Sequence, residues 1–352
     1  MKIVIYCGNT FESWSPKSEK SGIGGSEEAV INISRELVKL GNEVEVYNKC
    51  SDDEGVYDGV RYENYEYFKD VKADVVVFWR QPAYVYAQKD NYKAEQTFLW
   101  LHDTVPETEI LPVKHFLTGI FVLSGFHASL YPNLRDKLIK TTNGINLEQF
   151  DQKVTRNPYK IVYGSSYDRG LKELLEMWPE IKAFEKEAEL SVFYGMGMIQ
   201  DENFKDEIKY LLKQEGVKEL GRLSHEEVAK EFLSAGVWAY PCWFPEISCI
   251  TAMKAQASGA IPVITPTSAL EETCRWGLTT REPRDYKGEM PWGTDMPDRL
   301  MDRYVSILRK ALDPKYQKRI RPKMIADSKR YSWSLVAKGW LALWKSGKQL
   351  NK

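Results

Sequence analysis

Almost no net charge remains once 49 Lys and Arg are set against 50 Asp and Glu, a formal -1 over 352 residues. No overall field draws such a surface to nucleic acid or anionic lipid, so any polyanion site must be a local patch. Cysteine is scarce: Cys7, Cys50, Cys242, Cys249 and Cys274 are odd in number and form no C-x-x-C pair. That argues against a disulfide framework and a structural zinc site, and for a reducing compartment. Long apolar runs are missing too. No stretch approaches the ~18 apolar residues of a spanning helix, and Ile3 to Tyr6 is too short for a signal-peptide core, so the expectation is a cytoplasmic soluble chain. Asp-x-Asp is absent, and His115, His127 and His225 have no mutual ligand spacing, so no metal is indicated. No short-period repeat or low-complexity tract interrupts the chain. What is present, 43% hydrophobic and 12% aromatic residues, lies well outside disordered composition, and the length suits two domains, each with its own core.

Lys2-Ile-Val-Ile-Tyr-Cys7 is a short apolar run followed by a loop containing Gly22-Ile-Gly-Gly25, with Ser26 as expected N-cap. Val30, Ile33, Leu37 and Leu40 then recur at helical spacing until Gly41, and Glu43 to Tyr47 reads as a second strand. Similar strands recur at 74–79, 97–101 and 119–123. Near-continuous apolar strands alternating with helical segments indicate a parallel sheet buried on both faces. Composition turns polar near 147–158, and the alternation restarts: strands at 160–164, 190–194, 217–220, 237–240 and 261–264, helices over 170–186, 203–214, 225–234 and 247–258. A helix over 299–312 comes next. Near the end, Trp333, Val336, Trp340 and Leu343 form a broad apolar helix face that must pack on something. The expected fold is α/β: two Rossmann-like domains facing a cleft, over 1–150 and 151–325, with residues 326–352 as a C-terminal helix returning to the N-terminal domain.

Several strand ends carry chemistry. Glycines at a helix start free backbone amides for an anion or hydroxyl, or serve only a tight turn. A dinucleotide fingerprint would need Gly or Ala at Glu27 and an acid where Tyr47 and Asn48 stand, and no Walker lysine is present after it. His102 sits just past a buried strand, where it can donate or accept near neutral pH with Asp103 to orient it, or serve structure alone. In the loop 164–170, Arg169 can hold a phosphate bidentately in place of a metal, or pair with Asp168. Gly195-Met-Gly197 can admit a ligand to the backbone. Glu246 is expected at a helix start, where the dipole stabilises it, and a carboxylate there also hydrogen-bonds sugar hydroxyls. Lys254 lies roughly two turns on, on the same face.

In order along the chain, these residues resemble family 4 retaining glycosyltransferases of the GT-B fold. Gly24-Gly25-Ser26-Glu27 is similar to that family's first glycine loop, His102-Asp103 to its strand-end histidine, and Asn143-Gly-Ile-Asn146 to the segment before its linker. Arg169-Gly170 resembles its basic step on the diphosphate. Glu246 with Ala255-Gln-Ala-Ser-Gly259-Ala-Ile-Pro-Val263 resembles its Glu, seven residues, Glu pattern and the Ala-Met-Ala-x-Gly-x-Pro-Val stretch after it. Three departures stand out: Lys254 replaces the second glutamate, which usually holds the ribose; Ser248-Cys249 replaces Phe-Gly; and Ser165 stands where an arginine often sits. The resemblance implies a nucleotide-sugar domain over 151–325 and an acceptor domain over 1–150. His102, Arg169 and Glu246 would be catalytic. Donor contacts would come from Gly24, Gly25, Ser165, Gly195, Gly197 and Arg222, and from Ile247, Ser248, Cys249, Ile250 and Lys254. Asp103, Ser124, Trp14 and Trp79 would face the acceptor, although either Trp can equally be core.

The implied reaction is metal-independent transfer, with retention and without a cofactor, from a nucleotide-diphosphate sugar to a hydroxyl. A UDP-sugar is favoured over a GDP-sugar as donor, and closure of the lobes would exclude water. The alternatives are a sugar-nucleotide binder impaired by Lys254, and a sugar-nucleotide epimerase. The acceptor stays open among lipid-linked glycan, free glycan, small metabolite and modified DNA. Seven basic residues over 315–331 (Lys315, Lys318, Arg319, Arg321, Lys323, Lys329 and Arg330), with Asp327 the only acid, form either a solvated helix face or a contact for a membrane surface or nucleic acid.

Overall fold

The computed structural model of the chain describes residues 1–197, 199–280 and 296–347. It divides into two compact units: Met1–Glu19 with Ile23–Asn146 and the chain from Tyr331, and Lys20–Gly22 with Leu147–Arg330. The last residues of the expected terminal segment, 348–352, lie outside the described residues.

The first unit holds β1 (Lys2–Gly8), β2 (Glu43–Asn48), β3 (Gly55–Tyr57), β4 (Val60–Asn64), β5 (Val71–Trp79), β6 (Tyr92–Trp100), β7 (Gly119–Val122) and β8 (Leu138–Lys140). Their order in the sheet is β3-β4-β2-β1-β5-β6-β7-β8, parallel except for the β3–β4 hairpin. Val75, Val76, Val77 and Phe78 are fully buried, because strands covered on both faces have no solvent side to alternate toward. The helix Gly25–Lys39 is capped by Gly24, not Ser26, which lies in its first turn. A glycine at 24 leaves room for the Glu27 carboxylate, which occupies the space a Cβ there would need.

The closing helix Trp333–Lys345 docks on this unit. Trp340 stacks on Phe121 at 4.3 Å and 4°, meets Trp100 edge-on at 4.8 Å, and donates from Nε1 to Thr141 at 2.9 Å. The buried stripe runs through Leu341 and Trp344 in place of Leu343. Gln96 donates to the Trp344 carbonyl at 3.0 Å, holding the helix to β6.

The second unit is an all-parallel sheet in the order β11-β10-β9-β12-β13-β14. These are β9 (Asn157–Gly164), β10 (Glu189–Phe193), β11 (Val217–Gly221), β12 (Ala235–Tyr240), β13 (Ile261–Ile264) and β14 (Leu278–Thr279). Both sheets are doubly wound: in each, the first strand of the unit lies between strands laid down in opposite directions, and ligands bind beyond the carboxyl ends at such a switch point. The helix expected over 170–186 is two, Leu171–Glu176 and Trp178–Phe184. Pro179 has no N–H to continue the ladder from the first into the second. The basic segment forms the helix Pro314–Ser328, with Pro322 inside it. Among the described residues no helix is long and apolar enough to cross a membrane.

Candidate functional site

In the second unit the loops leaving β9 and β12 meet, because the first and fourth strands are neighbours in the sheet. Tyr163 donates to the carbonyls of Ser166 at 2.7 Å and Arg169 at 3.0 Å, which folds the first loop over its own strand. Gly170 has φ +93°, and a Cβ there would land on the Pro241 carbonyl, so only glycine lets the loops close on each other. Arg169 is thereby laid over the Phe244 ring, 3.7 Å from its centroid, with Nη1 donating to Glu246 Oε1 at 3.1 Å. Tyr240 donates to the same oxygen at 2.7 Å. Burial, with Cys242 and Glu246 nearby, pushes the Tyr240 phenol well up, so it keeps its proton. Ser165 lies 3.2 Å from the Tyr240 hydroxyl and supplies the hydrogen in that bond, since the phenol proton is already given to Glu246. Burial acts most strongly against the charge of Arg169, but Glu246, with Tyr240, Cys242 and Asp168, together outweighs it and the guanidinium is held up. The Arg169 side chain is 31% exposed against 10% for Glu246, so the cation keeps a free side while the carboxylate is fixed.

Glu246 does not begin a helix. Its carbonyl accepts from Ala269 at 2.9 Å, and the helix starts at Ile250 with Cys249 as cap. Thr251 donates to the Gly164 carbonyl at 3.3 Å and ties that helix start to the first loop. Cys249 provides no side-chain cap bond, and the hydroxyl of Ser248 beside it is buried with no partner among the described residues. Ile247 is buried, and Lys254 is buried within the helix Ile250–Ser258. Gly195 takes φ +87° after β10, and the Arg222 amide lies 3.8 Å from where its Cβ would be. A Cβ on Gly197 would meet nothing within 4 Å among the described residues. The structure thus gathers Ser165, Arg169, Glu246 and the 247–250 turn at one switch point, with Gly195 and Arg222 as a neighbouring pair.

In the first unit, Arg80 ends β5 in the left-handed region at φ +65°. Its guanidinium grips Asp103 with both arms, Nε to Oδ2 at 2.6 Å and Nη2 to Oδ1 at 2.9 Å, and reaches Glu27 at 3.4 Å. Asp103 therefore does not orient His102, as expected from sequence; the more strongly attracting guanidinium holds it. His102 lies against Trp100 at 4.3 Å and Trp79 at 5.9 Å, with Nε2 buried and without a partner among the described residues. Burial first, then the charges of Arg80 and His127, push its pKa well below the usual imidazole value, so the ring is neutral. His127 accepts the Leu123 N–H on Nδ1 at 3.1 Å, which places its proton on Nε2, 3.3 Å from the Asp103 carbonyl. Ser124 accepts from the His127 N–H at 2.9 Å and so caps its own short helix. Trp14 and Trp79 are 3% and 1% exposed, which leaves neither a ring face for a sugar to stack on and corrects their assignment to the acceptor. Gly24 and Gly25 open the helix whose Glu27 meets Arg80.

Sequence reasoning missed Arg80, Tyr240 and Phe244. The signal for Arg80 was a lone cation directly after the run Val75 to Trp79. Tyr240 carried none, as the last residue of a strand that reads as core, and Phe244 none beyond its place in the loop after that strand. Among the described residues no three His, Cys, Asp or Glu are grouped to hold a metal ion.

Two doubly wound α/β units with a terminal helix packed on the first make a GT-B fold. Sucrose-phosphate synthase from Thermosynechococcus elongatus matches at TM-score 0.70 and 13% identity, over 98% of each chain. Anabaena HepE, solved with UDP and glucose, matches at 0.69 and 12%, over 98% of this chain and all of that one. The α,α-trehalose 6-phosphate synthase from Burkholderia multivorans matches at 0.66 and 10%, over 98% of each. No protein-family model and no curated protein matches the sequence.

Proposed function

We propose that this chain is a retaining, metal-independent glycosyltransferase that moves a sugar from a nucleotide-diphosphate donor to a hydroxyl acceptor. The observation that carries this reading is the fixed Arg169–Glu246–Tyr240 cluster at the switch point of the second unit. The free side of Arg169, the Ser248 hydroxyl and the first-turn amides at Ile250 offer a diphosphate several donors around one position. Glu246, oriented by Tyr240, accepts from a sugar hydroxyl, and His102 of the first unit, neutral, can bond a sugar hydroxyl without adding charge. The acceptor oxygen bonds to the anomeric carbon as the carbon–phosphate oxygen bond breaks on the same face, and the acceptor proton passes to the leaving phosphate. Donors fixed in advance around the developing charge supply the rate. The UDP and glucose in HepE make a UDP-sugar the first donor to test, with a GDP-sugar next.

Arg169→Ala and Glu246→Ala each lower turnover on UDP-glucose, followed by mass detection of products from mixed acceptors. Normal turnover in both would sink the assignment. A second reading, a sugar-nucleotide binder without transfer, is favoured by one feature: Lys254, buried in the helix Ile250–Ser258, is no acceptor for ribose hydroxyls. Binding of a UDP-sugar with neither hydrolysis nor transfer, and activity appearing in Lys254→Glu, would establish that reading instead.

A further inference from the structure

Away from the carboxyl ends of its strands, the second unit has a cavity of about 470 Å³ beside the segment that leads into β9. The volume falls within the range of small-molecule sites, roughly 300–1,000 Å³. Phe150, Val154, Leu233 and Ile325 make an apolar wall, and Lys153 and Arg156 a cationic edge. Arg156 donates to the Ala235 carbonyl from Nη1 and to the Ser258 carbonyl from Nη2, the latter at 2.6 Å. Arg321 donates from Nε to the Gly259 carbonyl at 2.9 Å and from Nη2 to Gln317 at 2.8 Å. Its stem and Ile325 both lie against Gly259, which brings the two guanidiniums to the same helix end.

Among the described residues neither arginine is paired with a carboxylate. Burial and then the positive charge of Arg321 bring Arg156 down to about 10, and burial alone lowers Arg321. The carbonyls they hold belong to the ends of the helices His225–Ser234 and Ile250–Ser258. A helix C-terminus supplies roughly half a negative charge, so two supply about one against two arginines and Lys153. Capping alone therefore leaves this corner positive by about two charges, and a desolvated like-charged pair is costly without a counter-ion.

We propose that this corner binds a soluble phosphate monoester, with its phosphate on Arg156, Arg321 and Lys153 and its carbon body against Phe150, Val154 and Leu233. A phosphate monoester brings close to two negative charges at neutral pH and accepts from guanidinium forks. The test is calorimetric titration of the full chain in an Arg169→Ala background, which silences the other phosphate-facing arginine and makes the outcome independent of the proposed activity. Phenyl phosphate binds, and inorganic phosphate, lacking the apolar body, binds about tenfold more weakly. Arg321→Gln weakens phenyl phosphate about tenfold, and Lys153→Gln, an exposed change, about threefold. Circular dichroism checks the fold of Arg321→Gln, and Lys153→Gln keeps the test decisive if that variant does not fold. Absence of phenyl phosphate binding at millimolar concentration, or equal affinity in Lys153→Gln, overturns the proposal. Binding to phosphatidic acid vesicles alone would overturn the soluble source and place the same recognition at a membrane.

Discussion

Each unit ends neighbouring strands with an arginine and a carboxylate, but the two pairs are built for different ends. Arg80 in the first unit bonds two acids, Asp103 with both arms and Glu27 at 3.4 Å. Arg169 in the second unit makes one bond to one acid, lies on an aromatic ring, and keeps a free side. Three of the five Arg80 N–H donors go to carboxylates, which organises its surroundings, whereas Arg169 spends one in this way and has more left for a ligand. The same residue type just past a strand end thus reads as a brace in one unit and a binding group in the other.

The largest test of that contrast is catalytic. Arg169→Ala is expected to lower kcat by about 100- to 1,000-fold, the usual loss when a donor to developing charge is removed. Arg80→Ala leaves Asp103 and Glu27 without their brace and is expected to cost about tenfold through misplacement alone. Steady-state rates on the same donor compare the two, and a larger loss at Arg80 would reverse their roles.

The next test is pH. His127 has a pKa lowered to about 4, chiefly by burial, so below its unfolded value near 6.5 the unfolded chain takes a proton that the folded one refuses. Stability from this group is fully present above that value and falls as pH drops toward 4, by about 1.4 kcal/mol per pH unit. His102 is also pushed down, chiefly by burial, and adds to the same slope. Urea midpoints from pH 7 to 5 should therefore fall, and His127→Asn should remove about one proton from the slope. An unchanged slope would mean that the ring is not held neutral in the folded state.

The doubly wound class was legible because runs such as Val75 to Val77 and Ile261 to Ile264 can only be strands buried on both faces. The β3–β4 hairpin was legible too and went unread: Asp58-Gly59, at φ +53° and +81°, is the two-residue turn that joins it. Arg169 and Glu246 stood out as charged residues just past apolar strands. What joins them did not, because Tyr240 and Phe244 act through tertiary contact and carry no local pattern. The helix start near Glu246 was misplaced for a similar reason, since the Ala269 N–H that bonds its carbonyl lies 23 residues away in sequence. The left-handed backbone of Arg80 had no marker, since side chains seldom take that conformation and glycine is the residue that announces it.

The smallest expected effect isolates the brace itself. Arg80 and Asp103 are 30% and 39% exposed, so solvent screens their pair and Asp103→Asn should cost about 1 kcal/mol or less in unfolding free energy. A second readout separates a brace from a mere surface bridge. The Asp103 carbonyl and carboxylate both raise the His127 pKa against its burial, and the substitution removes only the carboxylate charge. The His127 midpoint, followed by NMR titration of its ring protons, should therefore move down in Asp103→Asn and stay in place in Glu246→Gln, whose change lies in the other unit. A midpoint that rises, or that moves equally in both variants, would detach Asp103 from the histidines and leave Arg80 bracing nothing but its own two acids.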